Sequence, residues 1–304
     1  MARIDFSTWQ GGNGDGYIVE EISSVVVQQA NAVSAIEAYA RKENMTTSTK
    51  LVPRLNAGGP NVFAEGDQIT EATTVEKDAV VLQARKWARI FQVSEEDLND
   101  SFVDVLNKFK IEWANKYARK FDHACLGVNA AEDGTTVPYT SLYKELTDLD
   151  AGLITPSAGD ITFTQLNDLL GQVEASKYFD PSRTMFLAHP TLMKALRGLV
   201  DDNHRPILQE PLAGTTGTLF GYPIKFTTGA AVDTTAQNFP TGNPFIAVGN
   251  MDMLINGTRL GIESAVSRDA KFDTDGVLLK IRARRAFKVA KPEAFAILEK
   301  TAAE

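Results

Sequence analysis

Few residues in this 304-residue chain have the type and spacing of a chemical site. Gly12-x-Gly14-x-Gly16 has the glycine density of a phosphate-cradling loop, whose backbone amides hold an anion at a helix N-terminus. Such a loop follows a strand inside a βαβ unit. Only an N-terminal arm precedes this one, so the run reads as a flexible hinge. Asp273-x-Asp275-Gly276 opens like a calcium loop, which needs a bidentate glutamate at its twelfth position. Counted from Asp273 that position is Arg284, and the stretch reads as a β-turn between strands.

His123, His189 and His204 are scattered, and His123 and Cys125 stand two apart on a helix, facing different sides. His189 before Pro190 reads as a helix cap. Cys125 is the only cysteine, so no internal disulfide and no cysteine-based metal site can form. Glu95-Glu96 and Asp201-Asp202 read as helix-end charges. No HExxH, GxSxG or GxxxxGK pattern occurs. The expectation is no catalytic residue, no cofactor and no metal.

The elements that would position such groups are clearer than the groups. Ile18, Ile22, Val25, Val26, Val33, Ile36 and Tyr39 recur at helical spacing between Tyr17 and Lys42, although Val25 to Val27 would also suit a strand. An extended hairpin is expected over 46–93. Its first arm contains Lys50 to Leu55, with Pro53 marking an edge strand, and its centre is Ala57-Gly58-Gly59-Pro60. The second arm, from about Ala79 to Val93, places Val81, Trp87, Phe91 and Val93 on one face. At ~50 Å it would reach a neighbouring subunit, and a lone two-stranded ribbon is barely stable in water.

Ser94-Glu95-Glu96-Asp97 then has the composition of a helix start. Leu98, Phe102, Val105, Leu106, Phe109, Trp113, Tyr117, Phe121 and Cys125 predict one amphipathic helix of ~45 Å ending at Gly127, with Glu112 and Lys116 paired on its other side. Further on, Thr162-x-x-Gln165 is a capping box for a helix carrying Leu166, Leu169, Leu170 and Val173. Arg183 to Ala188 is a strand, and Pro190 opens a helix with Leu192, Leu196, Leu199 and Val200 inward. Strands are expected over Phe245 to Val248, Met253 to Ile255 and Gly276 to Val289. In the last, Lys280, Arg282 and Arg284 form a basic ladder, with Arg285 and Lys288 beside it. It reads as a subunit contact or a solvated face.

A charge of −8 argues against a surface built to grip nucleic acid. With 43% hydrophobic and 23% charged residues the composition is that of a soluble protein, without a signal peptide or a membrane-length apolar run.

The order of these pieces resembles the major capsid proteins of tailed bacteriophages, the Hong Kong 97 type of shell fold. Val62-Phe63-Ala64-Glu65-Gly66 is similar to that family's aromatic-x-x-Glu-Gly stretch. Ile90 to Ser101 is similar to its loop-to-helix junction, Phe186 to Pro190 to its asparagine-proline turn with His189 in place of Asn, and Leu219 to Ile224 to its L-x-G-Y-P-V stretch. Val248-Gly249-Asn250-Met251 departs from the familiar G-D-F. Arg284 to Val289 with Glu293 to Leu298 resembles the closing strand and tail of the peripheral domain.

The resemblance implies an α+β fold: an N-terminal arm and first helix (1–45), an extended E-loop (46–93), and a peripheral P-domain with a spine helix and β-sheet (94–150). An axial A-domain (151–250) and a return to the P-domain (251–304) would follow. It implies a non-enzymatic shell subunit forming hexamers and pentamers of an icosahedral head around double-stranded DNA, without sequence-specific binding and without a membrane. Assembly would occur in the bacterial host cytoplasm, with a separate scaffolding protein, or none, and with portal and decoration proteins as partners. Val62, Phe63, Glu65, Asp67, Glu71, Arg85, Trp87 and Arg89 of the E-loop would contact the neighbouring subunit. Lys50 and Lys77 lie in that loop, but no motif marks partners for a cross-link. An encapsulin-type compartment shell and a cytosolic enzyme with a dimerisation arm are the alternative readings.

Overall fold

The computed structural model describes residues 33–56, 65, 76–100, 104–200, 205–209, 217–236 and 240–301. The described chain begins beside Ser34, whose hydroxyl accepts the Glu37 amide and starts the short helix α1 (Ala35–Tyr39). Ala40 turns to an extended conformation, and strand β1 (Arg41–Asn44) follows. The helix expected over Tyr17 to Lys42 therefore stops at Tyr39. Its first part, 17–32, lies outside the described residues, and Val33 is 71% exposed rather than on an apolar face.

Strands β2 (Thr49–Asn56) and β3 (Glu76–Gln83) pair antiparallel from Thr49↔Gln83 to Asn56↔Glu76, forming a two-stranded ribbon. The expected single arm from Ala79 to Val93 is two strands. At Ala84 the amide turns to the Ser48 carbonyl at 2.8 Å, and β4 (Arg85–Ser94) leaves the ribbon to join another sheet. The break shifts the burial phase. Val80 and Leu82 are buried before it, while Trp87, Phe91 and Val93 turn inward after it, and Val81, assigned to their face, is 43% exposed.

The single ~45 Å helix is likewise two elements. Ser94 is the last residue of β4, and α2 (Glu95–Asp100) is separate from α3 (Val105–Leu126). Asp104 supplies a second cap, accepting the Asn107 amide at 3.0 Å, and so restarts the helix ten residues later than the composition at Ser94 implies. At 22 residues α3 is ~33 Å long. Its inward face holds as expected: Trp113, Tyr117, Phe121 and Cys125 are buried, with Leu106 and Phe109 packed against them. Glu112 and Lys116 form the predicted ion pair.

Helix α4 (Leu142–Leu149), capped by Ser141, and strand β5 (Ile154–Ala158) lead to α5 (Phe163–Glu174), which has the full Thr162–Gln165 capping box. Strand β6 (Thr184–Ala188) is buried throughout. A 3-10 turn at Pro190–Leu192 opens α6 (Met193–Gly198), so Leu199 and Val200 lie past the helix, and Val200 is 45% exposed. Strands β7 (Leu208–Gln209), β8 (Thr218–Leu219) and β9 (Tyr222–Phe226) follow. Phe220 and Gly221, both at positive φ, make the tight turn between the last two. The remainder is β10 (Phe245–Asn250), β11 (Leu254–Ser267), β12 (Gly276–Val289) and β13 (Phe295–Thr301). Strand β11 is far longer than the three residues predicted, because two bulges between Thr258 and Glu263 disrupt its alternation.

These strands form two larger sheets. One has the order β1-β11-β12-β4 and lies under α3. The other has the order β5-β13-β10-β6-β9-β8-β7 and carries α5 and α6. Leu279, Ile281 and Ala283 of β12 pack with the aromatic face of α3, while Lys280 and Arg282 point away. Phe295 to Thr301, expected in the peripheral sheet, pairs instead with β10 and β5 in the middle of the larger one. Among the described residues no helix is long and apolar enough to cross a membrane.

The core under α3 centres on Phe121, which has no exposed surface. Phe121→Ala should destabilise the subunit by ~3–5 kcal/mol in urea unfolding, whereas Ile90→Ala, at a 59% exposed position, should stay within ~0.5 kcal/mol.

Candidate functional site

Two places gather the features that a site would need: the ribbon, and a buried polar junction at the end of α3. The ribbon is fixed only at its base. Met45, Val80, Leu82, Ile255 and Ala286 form a small core there, joining β3 to the outer face of the β11–β12 pair. Lys50 bonds Glu43 and the Asn44 carbonyl, at 2.8 and 2.9 Å, and holds the Glu43 carboxyl below the usual carboxylate range. The Arg54 guanidinium donates to the Ala290 carbonyl. Beyond these ties Leu51 is 63% exposed, an apolar side chain left uncovered within one subunit.

The residues expected to contact a neighbour are not all in one place. Glu65 lies exposed in a turn, while Val62, Phe63, Asp67 and Glu71 lie outside the described residues. Arg89 is exposed, with its guanidinium 5.5 Å from the Phe91 ring. Arg85 pairs with Glu132 at 2.6 Å, under the positive-φ turn at Gly134. Trp87 faces its own chain. Its indole donates to the Tyr139 hydroxyl at 2.9 Å and meets Tyr117 edge-on, with the rings 5.7 Å apart. The phase shift at Ala84 turns Trp87 from the arm into the core.

The junction went unnoticed in the sequence. Asp122, fully buried, accepts from the Ser34 hydroxyl (2.5 Å), the Ala35 and Ile36 amides (2.8 and 3.2 Å) and the Thr227 hydroxyl (2.7 Å). Burial pushes its carboxyl above the usual range, and the hydrogen bonds pull the other way. The loop after Thr227 comes so close that a Cβ on Gly229 would sit 2.6 Å from the α3 backbone. His123 places its two ring nitrogens 3.3 and 3.1 Å from the Gly229 and Thr235 carbonyls. Its neighbour Asp would be the only signal in the sequence, a charge on an otherwise apolar helix end.

The junction is built for holding rather than for reaction. Its carboxylate is saturated with donors and has no open side for a substrate. Cys125 is sealed beside it, its thiol pushed up by burial, so it is no nucleophile. Among the described residues no cluster of His, Cys, Asp and Glu could hold a metal ion. The Gly12-x-Gly14-x-Gly16 run and His204 lie outside the described residues. His189 is a cap, as expected, accepting the Thr191 amide at 3.3 Å. The Asp273–Gly276 stretch lies at the bend between β11 and β12, with Asp275 at positive φ.

A sequence model described as the Phage capsid family matches residues 14–300. The chain belongs to that family. Three solved structures share its fold at low identity. A chain from Microbacterium phage Oxtober96 superposes with a TM-score of 0.69 at 19% identity, covering 94% of this chain and 96% of its own. One from Mycobacterium phage Bobi gives 0.70 at 18%, covering 94% and 95%. The capsid of a native GTA particle gives 0.68 at 19%, covering 94% and 96%. No match is found among curated protein sequences. The expected capsid fold is therefore present, and the function is that of a major capsid protein of a tailed phage. This capsid protein is a structural component of the virion that acts in many copies, not an enzyme.

Two outcomes test the junction. Asp122→Asn places an amide among four donors and should cost the capsid subunit ~3 kcal/mol in urea unfolding. Burial also lowers the His123 value, so below about pH 6.5 the unfolded chain binds a proton that the folded chain resists. Stability should rise with pH through that window and be lost on acidification. His123→Gln should flatten this slope in urea midpoints, leaving the smaller contribution of His189, whose value burial also lowers.

Proposed function

We propose that this capsid protein builds the icosahedral head of a tailed phage as hexamers and pentamers, enclosing double-stranded DNA that it does not recognise by sequence. The observation that carries the reading is the ribbon β2–β3. A two-stranded ribbon standing off its own core, with an exposed Leu51 and Val81, gains its stability from a surface elsewhere. In the shell that surface is the adjacent subunit, with the region 46–93 acting as the E-loop. Glu65 and Arg89 are the contact residues among those described, and Val62, Phe63, Asp67 and Glu71 belong to the same contact.

The sheet β1-β11-β12-β4 with α3 serves as the peripheral plate, and the sheet around β6 and β10 as the axial part where subunits converge. Residues 1–45 tie neighbouring capsomers together. Each contact is modest, and repetition over many copies makes the shell strong. Assembly takes place in the bacterial host cytoplasm, with a portal at one vertex and with scaffolding and decoration proteins as separate chains. The net charge of −8 suits a container that holds packed DNA without adhering to it.

The test is deletion of residues 62–73 at the loop tip. The chain is expressed alone and beside its neighbouring genes, and particles are examined by negative-stain electron microscopy. The wild type should give closed polyhedral particles, and the deletion only unassembled subunits or open fragments. Normal closed shells from the deletion would remove the role assigned to the arm.

A further inference from the structure

The arm needs a surface to land on, and the face of the smaller sheet turned away from α3 has the right chemistry. Lys280, Arg282 and Arg284 point outward from β12. Lys86 of β4 stands directly opposite Arg284, and Glu263 of β11 opposite Arg282. Arg259 joins them where a shallow cavity of about 290 Å³ opens between Arg259, Leu260, Arg282 and Arg284. Arg282 pairs with Glu263 at 3.1 Å. Among the described residues Lys86, Arg259, Lys280 and Arg284 have no acidic partner. In a chain of charge −8 this concentration of unpaired cations on one strand face requires an explanation.

The sequence contains a matching segment. Residues 57–75, between the two strands of the ribbon, carry Glu65, Asp67 and Glu71 and no Lys or Arg. We propose that the basic face of β11, β12 and β4 receives the acidic segment 57–75 of a second copy of this chain. The inference rests on the reading of the ribbon as an inter-subunit arm and assigns its landing surface. The segment of the same copy is poorly placed for the task. The ribbon is anchored over Ala286, on the same face, and its eight paired residues carry its far end ~27 Å away. That exceeds the ~20 Å from Ala286 to Lys280, so the segment is delivered past its own basic face. Because one patch meets a different patch on the next copy, the contact is heterologous and closes rings. Opposed charge also fixes the register of the arm and disfavours parallel alignment of two arms.

Charge exchange tests this. Lys280→Glu with Arg282→Glu and Arg284→Glu reverses the face, and Glu65→Lys with Asp67→Lys and Glu71→Lys reverses the segment. Each set should leave the thermal midpoint of the isolated subunit nearly unchanged, since the residues are exposed or half-exposed. Each should reduce closed shells ~10-fold or more, because a weakened contact is repeated in every subunit. The chain carrying both sets should regain shells. Should the triple change on β12 disturb folding, Lys86→Glu with Lys280→Glu gives the same reading from two fully exposed positions. Undiminished shells from the reversed face, or no recovery in the doubly reversed chain, overturns the proposal. So does a reversed face that assembles normally but loses salt-dependent retention of a short DNA duplex, which would assign the cations to nucleic acid. Loss of shells on deleting 62–73 without any effect of charge reversal sinks only the landing surface. A harmless deletion sinks the arm itself.

Discussion

A carboxylate without contact with water must find its donors inside the protein, and Asp122 finds four of them in two distant stretches of chain. Ser34, Ala35 and Ile36 fix the start of α1, and Thr227 fixes the loop beyond β9. The consequences spread from there. With α1 held, Glu37 sits where it accepts from Tyr117 and pairs with Arg285 at 3.0 Å. The Arg285 carbonyl in turn accepts from Tyr139, whose hydroxyl receives the Trp87 indole. A continuous polar line thus runs from the first described residues across α3 to the edge strand β4. The placing of β1 on β11 and of the loop around Gly229 against α3 both rely on the same buried charge.

Around this line the fold separates rigid from dependent parts. The core under α3 and the core under α5 and α6 are each closed by their own sheets, and Glu299 joins them, accepting from Tyr143 of α4 and Asn243 at 2.7 Å each. Lys288 bridges in the same way from β12 to Glu145. The ribbon has no such closure. Its small apolar base leaves most of its length without a partner, which a shell subunit can tolerate because its neighbours supply one.

Much of this was legible in the sequence where one local pattern acted alone. The Thr162–Gln165 box, the aromatic row from Phe109 to Phe121 and the alternation through β12 each read as they fold. The misreadings occur where two signals compete. Ser94 and Asp104 are both competent caps, and only packing decides between a strand end and a helix start. The run from Ala79 to Val93 alternates without interruption, so the break at Ala84 is invisible until β4 is seen to pair with β12. The length of β11 was hidden by its bulges. Asp122 was missed because a buried acid on an apolar helix looks like any surface acid until its donors, 87 and 105 residues away, are brought to it. The tip expected to touch a neighbour could be read for its charge but not for its target, since the target is a sheet face assembled from three strands.

One feature of the larger sheet bears on how the subunit is made. Strand β13 lies between β5 and β10, and Phe295 to Leu298 are wholly buried there. During synthesis every other strand of that sheet leaves the ribosome first, yet β5 has no partner until residue 301 has emerged. A chain released early would present an open β10 edge and an unfilled core. Completion of translation is thereby coupled to competence for assembly. A virus that commits hundreds of identical parts to one closed surface gains a check on each part before it is installed.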